Sequence, residues 1–364
     1  MVAKNSATVA VRWDFRSDTV TRPTPAMLEA MLRAPVGDAV FGDDPTVLAL
    51  EDEVASLLRK EAALFVASGT MSNQLALRVH VGQLDEVLCD HRAHIHVWEN
   101  GGIHAISGAS VAPVIPPNGD YLCADDVASH ASLSHFGRHR PVTRLLALEN
   151  TLNGAVASVD QLGACAQKAH ELGLATHLDG ARLWNAAVAE ARGADEFAQP
   201  FDSVSVCLSK GLGAPVGSVL AGSTALVERA RHFCKLYGGG WRQAGILAAA
   251  GLHALHHHRE RLAEDHERAS ELADGLTQLG FDVDPPMTNM VWCHPPPAVR
   301  GMPHFDEMQR RLEVEDGILV GGAYGGARNP FGQSAKSIRF VTHMQTPREG
   351  VLALLGGIRR LLRK

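Results

Sequence analysis

Short apolar runs alternate with amphipathic stretches along most of the chain. ALFVA (63–67), EVLCD (86–90), RLLALE (144–149), ATHLD (175–179), SVSVCLS (203–209) and SVLAGS (218–223) have the length and apolar density of buried strands. Between them the period becomes helical. From Thr46 to Lys60 apolar residues recur as Val47, Leu50, Val54, Leu57 and Leu58, and further helices are predicted from about Val159 to Leu172 and from about Ala181. Strand–helix–strand spacing of this kind predicts crossover units, hence a mostly parallel sheet with helices on both faces. The first forty residues are irregular and rich in Pro and Gly, with one short helix around Pro25–Arg33. Beyond Ile246 the pattern is helical for roughly 35 residues. A mixed tail follows, with MVWCH (290–294), GILV (317–320) and SIRFVTH (337–343) as strands. The expected division is an N-terminal arm (1–45), a large domain (46–250) and a small α+β domain (251–364).

Composition narrows the function classes. With 46% hydrophobic and 20% charged residues among 364, the chain has material for a large core. A net charge of −6 and the absence of any Lys/Arg run argue against a nucleic-acid binder. No apolar run approaches the length of a membrane span, and MVAKNSATVAVRWDF lacks the apolar core of a signal peptide, so the expected location is the cytoplasm. Six scattered cysteines without a CxxC pair read as reduced thiols, and no ligand spacing points to a metal. The HHH at His256–His258 reads as a solvated helix face rather than a chelating site.

Ligands of open α/β sheets gather at the carboxyl ends of strands. Four polar groups terminate apolar runs: Ser68-Gly69-Thr70, Glu149-Asn150, Asp179 and Ser209-Lys210. A glycine at a strand-to-helix turn lets backbone approach a ligand, and the helix N-terminus attracts anions, so SGT is a phosphate seat or a plain helix cap. Asp179 opens DGAR, where it pairs with Arg182 or with a cationic ring nitrogen, leaving Arg182 for an anionic ligand. Lys210 follows Val204, Val206 and Leu208; desolvation there would free its amine as a nucleophile. An amine, an acid for a pyridinium and an anion seat together are what a pyridoxal phosphate site requires. GLGAPVG is not a dinucleotide fingerprint, because its third glycine falls one residue late and the lysine precedes the loop.

Longer motifs add to this reading. DFRSDTVTRPTPAMLEAM, APVGDAVFGDDPTVLALE, FVASGTMSNQLAL, LALENTLNG, HLDGARLWNA, SVCLSKGLGAPVGSVLAG and KLYGGGWRQAGILAAAG resemble the low-specificity L-threonine aldolases. These belong to the aromatic β-eliminating-lyase group of fold-type-I pyridoxal phosphate enzymes. The resemblance runs from about Asp14 to Gly251 and resumes at TNM and IRFVTH. It implies an aminotransferase-like fold, with a seven-stranded sheet in the large domain and a smaller α+β domain. It also implies pyridoxal 5′-phosphate as cofactor and a homotetramer built from dimers, with active sites at the dimer interface.

By the same resemblance Lys210 joins the cofactor, Asp179 pairs with its ring nitrogen, and Gly69 and Thr70 hold its phosphate. Ser17, Arg182 and Arg339 match the clamp for a substrate carboxylate. His94 matches the histidine stacked on the ring, with His91 and His96 as the alternatives if the register slips. His139 matches a second active-site histidine, or is an ordinary surface residue. Lys235 and Arg242 match positions near the phosphate or the subunit interface. The implied reaction is cleavage of a β-hydroxy-α-amino acid to glycine and an aldehyde, with His94 or His139 as the base. Alternatives on the same scaffold are β-elimination, transamination and racemisation, and a different class is a silent cofactor-binding protein. The chain departs from the family at Phe41, where tyrosine is common, at Leu152, where a polar side chain is frequent, and in the Gly-rich stretch 321–336.

Overall fold

A computed structural model describes residues 10–294, 305–321, 323–324 and 337–363. Two compact units emerge: residues 23–260, and residues 1–22 together with 261–364. The boundary therefore falls ten residues beyond the expected 250. Residues 1–22 of the expected arm join the second unit, and the rest of the arm belongs to the first.

After a short strand β1 (Trp13–Phe15), the larger unit begins with helices α1 (Pro25–Leu32) and α2 (Pro45–Leu57). Both start on a proline behind a capping side chain, Thr24 and Asp44, a placement that costs no hydrogen bond and presets φ. Its seven strands are β2 (Ala62–Val66), β3 (Asp85–Asp90), β4 (Ser110–Val114), β5 (Val142–Glu149), β6 (Ala175–Gly180), β7 (Ser203–Cys207) and β8 (Ser218–Gly222). Their order is β2-β8-β7-β6-β5-β3-β4. The pairings of β4, β3, β5, β6 and β7 are parallel, while β8 runs antiparallel to both β7 and β2. β7 and β8 are buried along their whole length, which is why they read as unbroken apolar runs instead of alternating ones.

One strand of this sheet had no forecast. SVAPV of β4 lies at the sheet edge and carries Pro113, a residue tolerated there because an edge strand need not donate on both sides. The continuous helix expected after Ile246 is in fact two, Gly245–His257 and Leu262–Gln278. The triple histidine sits at that break. His256 and His257 are exposed as expected, but His258 is buried and its Nδ1 lies 2.7 Å from the carbonyl oxygen of Leu212. The solvated-face reading fails for that third residue.

The second unit pairs β1 in parallel with β11 (Ile318–Val320). Its other sheet has β10 (Met290–His294) between β9 (Asp282–Asp284) and β13 (Ser337–Val341), with β12 (Ala323–Tyr324) outside β13. Phe15, Leu272, Phe281, Val291, Phe340 and Leu354 belong to its core. No described helix is long and apolar enough to cross a membrane. All six cysteines are unpaired, five of them buried.

Within the larger unit the segment after β7 is held partly by backbone bonds. Leu208 N–H donates to Gly217 at 3.0 Å, and Gly213 N–H to Lys210 at 2.8 Å. Gly217 adopts φ +110°, and a Cβ there would run into the Phe65 ring. Gly217→Ala should therefore cost about 1–3 kcal/mol, from strain and from displacement of a well-packed aromatic. A lowered urea midpoint is the expected reading, and an unchanged midpoint would contradict the packing argument.

Candidate active site

Parallel strands place their carboxyl ends on one edge, and there the larger unit collects its polar side chains. Asp179 and Glu149 are register partners at the ends of β6 and β5. The SGT turn leaves β2 and opens helix α3 (Gly69–His80). Ser68 Oγ accepts from Met71 N–H at 3.1 Å, so Ser68 does cap the helix. Gly69 has a different reason to be there. A Cβ on it would lie 2.8 Å from Cys207 Sγ, so only glycine lets the turn sit this close to β7. Thr70 is exposed at the first turn, where helix N–H groups and the macrodipole favour an anion.

Asp179 is buried and well provided with donors. Its Oδ1 accepts from Ala181 N–H at 3.0 Å and its Oδ2 from Asn73 Nδ2 at 2.7 Å. The same Asn73 amide donates to Glu99 Oε1 at 2.9 Å, and Gln74 Nε2 donates to Glu99 Oε2 at 2.6 Å. His94 Nδ1 stands 2.9 Å from Glu99 Oε1, while His94 N–H donates to Glu149 Oε2 at 2.7 Å. Of the three neighbouring histidines, His94 is thus the one tied to these carboxylates, and His96 is exposed. Burial works against protonation of His94. The hydrogen bond to Glu99 and the charges of Asp179, Glu149 and Glu99 outweigh it and raise the pKa above 6.5. The Glu149 carboxyl is pushed up as well, by burial first and then by the neighbouring Asp179 charge, against the pull of His94 and Lys210.

Lys210 lies three residues beyond β7, half-buried instead of enclosed by Val204, Val206 and Leu208 as expected. Its turn is pinned by the Gly213 N–H to Lys210 carbonyl bond and, two residues on, by His258 against Leu212. Trp184 Nε1 donates to Cys207 O at 3.2 Å and fixes the strand end from the DGAR side. Arg182 is the N-cap of the helix Leu183–Glu190, half-buried in the same segment.

The remaining expected residues lie on other segments. Ser17 and Arg339 both lie in the second unit, where Arg339 Nη2 donates to Arg16 O at 3.3 Å. Asn289 Nδ2, from TNM, donates to Asp18 Oδ2 at 3.2 Å and to Thr342 O at 3.1 Å, so RSDT, TNM and VTH form one assembly. His139 is exposed, three residues before β5. Eight residues of strand, about 25 Å at 3.3 Å each, separate it from the Glu149 end, and within this chain it does not join His94. Lys235 borders a cavity of about 250 Å³ together with Glu51, Phe65, Arg231 and Trp241. Arg242 pairs with Asp38 at 2.8 Å, its guanidinium 5.9 Å from the centre of the exposed Phe41 ring. Leu152 is buried. Most of the Gly-rich stretch 321–336 falls outside the described residues.

His94, Glu99 and Asp179 each bring a donor atom within 4.8 Å of the others, a grouping that could hold a cation. Asn73 already bridges the two carboxylates and His94 already meets Glu99, so the grouping suits a cationic ring lying against it. A pyridoxal phosphate fits these residues: a lysine amine beyond β7, a carboxylate for a ring nitrogen, and a glycine-opened helix N-terminus for a phosphate. Asn73, Gln74, Glu99 and His177 were not anticipated. The signal for His177 was its place two residues before Asp179, which puts both side chains on one face of β6.

A family profile described as Beta-eliminating lyase matches residues 14–295. The low-specificity L-threonine aldolase of Saccharomyces cerevisiae is 44% identical over 284 residues, which are 77% of this chain and 73% of that protein. The low-specificity L-threonine aldolase of Escherichia coli K12 is 42% identical over 338 residues, 92% of this chain and 95% of that one. Among solved structures, the threonine aldolase of Leishmania major superposes with a TM-score of 0.78, covering 96% of this chain and 99% of that chain at 21% identity.

Glu149 offers a direct check on the electrostatics. The folded protein holds its proton more tightly than the unfolded chain does. Its contribution to stability is therefore present in full below the ordinary carboxylate value of 4.5 and drains away as pH rises toward the elevated folded value. In Glu149→Gln the amide oxygen still accepts from His94 N–H, and the titration is gone. The cofactor-free variant should lose less stability than the unaltered protein between pH 4.5 and neutrality, read as urea midpoints. Identical profiles would mean that ionising Glu149 costs the fold nothing.

Proposed function

The chain belongs to the β-eliminating lyase family, and we propose that it cleaves L-threonine, L-allo-threonine and related β-hydroxy-α-amino acids to glycine and an aldehyde, reversibly. The observation carrying this reading is the 42% identity that spans 95% of the Escherichia coli L-threonine aldolase. Support comes from Lys210, Asp179 and the SGT turn, which occupy the carboxyl edge of one sheet. Pyridoxal 5′-phosphate is the cofactor in this reading, and when bound it supplies an electron-poor ring able to accept the electron pair left at the substrate's α-carbon.

Each protein group then has a task. Lys210 would provide the amine that holds the cofactor and would yield that place to the substrate's amine. Asp179 keeps the ring nitrogen protonated, and Gly69 and Thr70 seat the phosphate. Ser17, Arg182 and Arg339 bind the substrate carboxylate. His94 covers the ring and takes the β-hydroxyl proton, with Glu99 holding its Nδ1 so that Nε2 does the chemistry. His139, far from His94 along its own chain, serves a site only as part of an assembly. We also read the protein as a cytoplasmic homotetramer with its sites at a dimer interface. Leu32, Phe41 and Leu236 are more than two-thirds exposed, and the backbone bond from Ala39 N–H to Arg242 O joins their segments. Large apolar side chains left this exposed suit burial against a partner. The unpaired thiols suit a reducing compartment.

The test is product analysis of purified, cofactor-loaded protein. L-threonine should yield glycine and acetaldehyde, and Lys210→Ala should lose both the activity and the cofactor's visible band. Formation of a keto acid and ammonia would replace this reading with β-elimination. His94→Asn should lower kcat roughly 100- to 10,000-fold, the usual contribution of a positioned base.

The pH profile supplies another check. The base must be neutral to accept a proton, so the acid limb of kcat/KM follows the raised pKa of His94. Glu99→Gln removes the hydrogen-bonding carboxylate and its charge, so that limb should move to lower pH. A limb that stays in place would remove His94 from the role of base.

A further inference from the structure

Asn73 lies within FVASGTMSNQLAL but was given no role there, yet it touches both buried carboxylates of the site. It is 1% exposed, on the turn of α3 that follows the phosphate seat. Carboxylates accept hydrogen bonds, so the face of the amide toward Asp179 and Glu99 must be its NH2. Its Oδ1 then faces the other way and lies 3.2 Å from His177 Nε2. A carbonyl oxygen can only accept, so that nitrogen carries the proton. His177 is fully buried, and burial above all, with the nearby His80 adding to it, drops its pKa to about 4 despite the Asp179 charge. The ring is therefore neutral and its Nδ1 accepts, 2.9 Å from Ser203 Oγ. Ser203 Oγ in turn lies 2.8 Å from His80 Nε2. Every donor in this chain points the same way, from His80 through Ser203 and His177 to Asn73 and the two carboxylates.

We propose that His177 locks the Asn73 amide in one orientation, and that Asn73 so locked is a positioning residue that sets Asp179 as the counter-ion of the cofactor's ring nitrogen. A turned amide would present its oxygen to two carboxylates at once, and His177 Nε2 would have to accept from the NH2 instead. A neutral histidine with its proton on Nε2 excludes that arrangement. This inference rests on the cofactor reading given above and adds to it the group that aims the carboxylate.

The experiment uses protein loaded with pyridoxal phosphate carrying 15N in the ring, whose chemical shift distinguishes a protonated from a neutral nitrogen. Crystal structures of the cofactor-free variants accompany it. Asn73→Leu and His177→Phe should each weaken the hold on the ring proton about tenfold, so that the nitrogen titrates about one pH unit lower. His177→Gln should restore it, because a glutamine amide can donate where Nε2 does. In cofactor-free His177→Phe the Asn73 amide should have turned away from one of the carboxylates. The proposal is overturned if both variants titrate like the unaltered protein. It is equally overturned if His177→Gln loses the ring proton along with them in step with melting temperature, the mark of a merely structural role. Should the unaltered protein fail to bind the cofactor, the proposed function falls separately, and the Asn73 orientation in cofactor-free His177→Phe still decides this inference: a turned amide upholds it and an unturned one refutes it.

Discussion

A carboxylate taken out of water must be given donors and an opposite charge, and the larger unit is arranged around meeting that demand at Asp179. Ala181 N–H and Asn73 supply the donors. Each supplier has its own requirement. Asn73 needs α3 to start where it does, which needs Ser68 as cap and Gly69 close against Cys207. The turn proposed to seat a phosphate and the amide proposed to aim a carboxylate are therefore one piece of structure, a single helix entering over the carboxyl edge of the sheet. Removing the glycine would disturb both parts of that proposed site at once.

The same edge shows how a parallel sheet assembles chemistry from distant sequence. β5 and β6 bring Glu149 and Asp179 into register, β7 carries the chain toward Lys210, and β2 delivers the helix. None of these residues is near another in the chain, yet strand order alone makes them neighbours. His258 extends the logic to the lysine turn. A helix that might have continued breaks after His257, and the buried ring at the break holds Leu212 by its carbonyl.

Much of this was legible from residue patterns, because buried strands and polar strand ends have strong signatures. Met290–His294 and Val159–Glu171 fall within a residue of where periodicity puts them. β4 was hidden by Pro113 and its position at the edge, and the helix break was hidden because histidines are tolerated in a helix interior. Lys210, Asp179 and the SGT turn could be read because each ends an apolar run. Asn73 and Glu99 could not, because their meaning lies in one another, and His177 offered only its place two residues before Asp179. Glu99 follows His94 by five residues, two past the end of the short helix His94–Val97, and only the fold brings it to an amide from α3. His139 shows the opposite failure, a motif match that local geometry leaves exposed at the far end of its strand.

Electrostatic strain is the remaining consequence of building a site this way. Glu149 and Asp179 stand together at the strand ends, and the first is pushed up partly by the charge of the second. Without a cation nearby, the folded protein avoids that repulsion by keeping a proton on Glu149. A ligand that binds only the folded form stabilises it by mass action, and a cationic one would also offset the charge of Glu149 once that proton is lost. Hydrogen bonds from Asn73 to Asp179 and from His94 to Glu149 limit the repulsion without neutralising it. The site is thus preorganised for positive charge before any arrives, and the cost of keeping it so is carried by the buried relay behind it. This explains why apolar residues alone could not line the back of the pocket: a wall of leucines would fill the space of His177 and Asn73, but would leave Asp179 without the donor that holds and aims it.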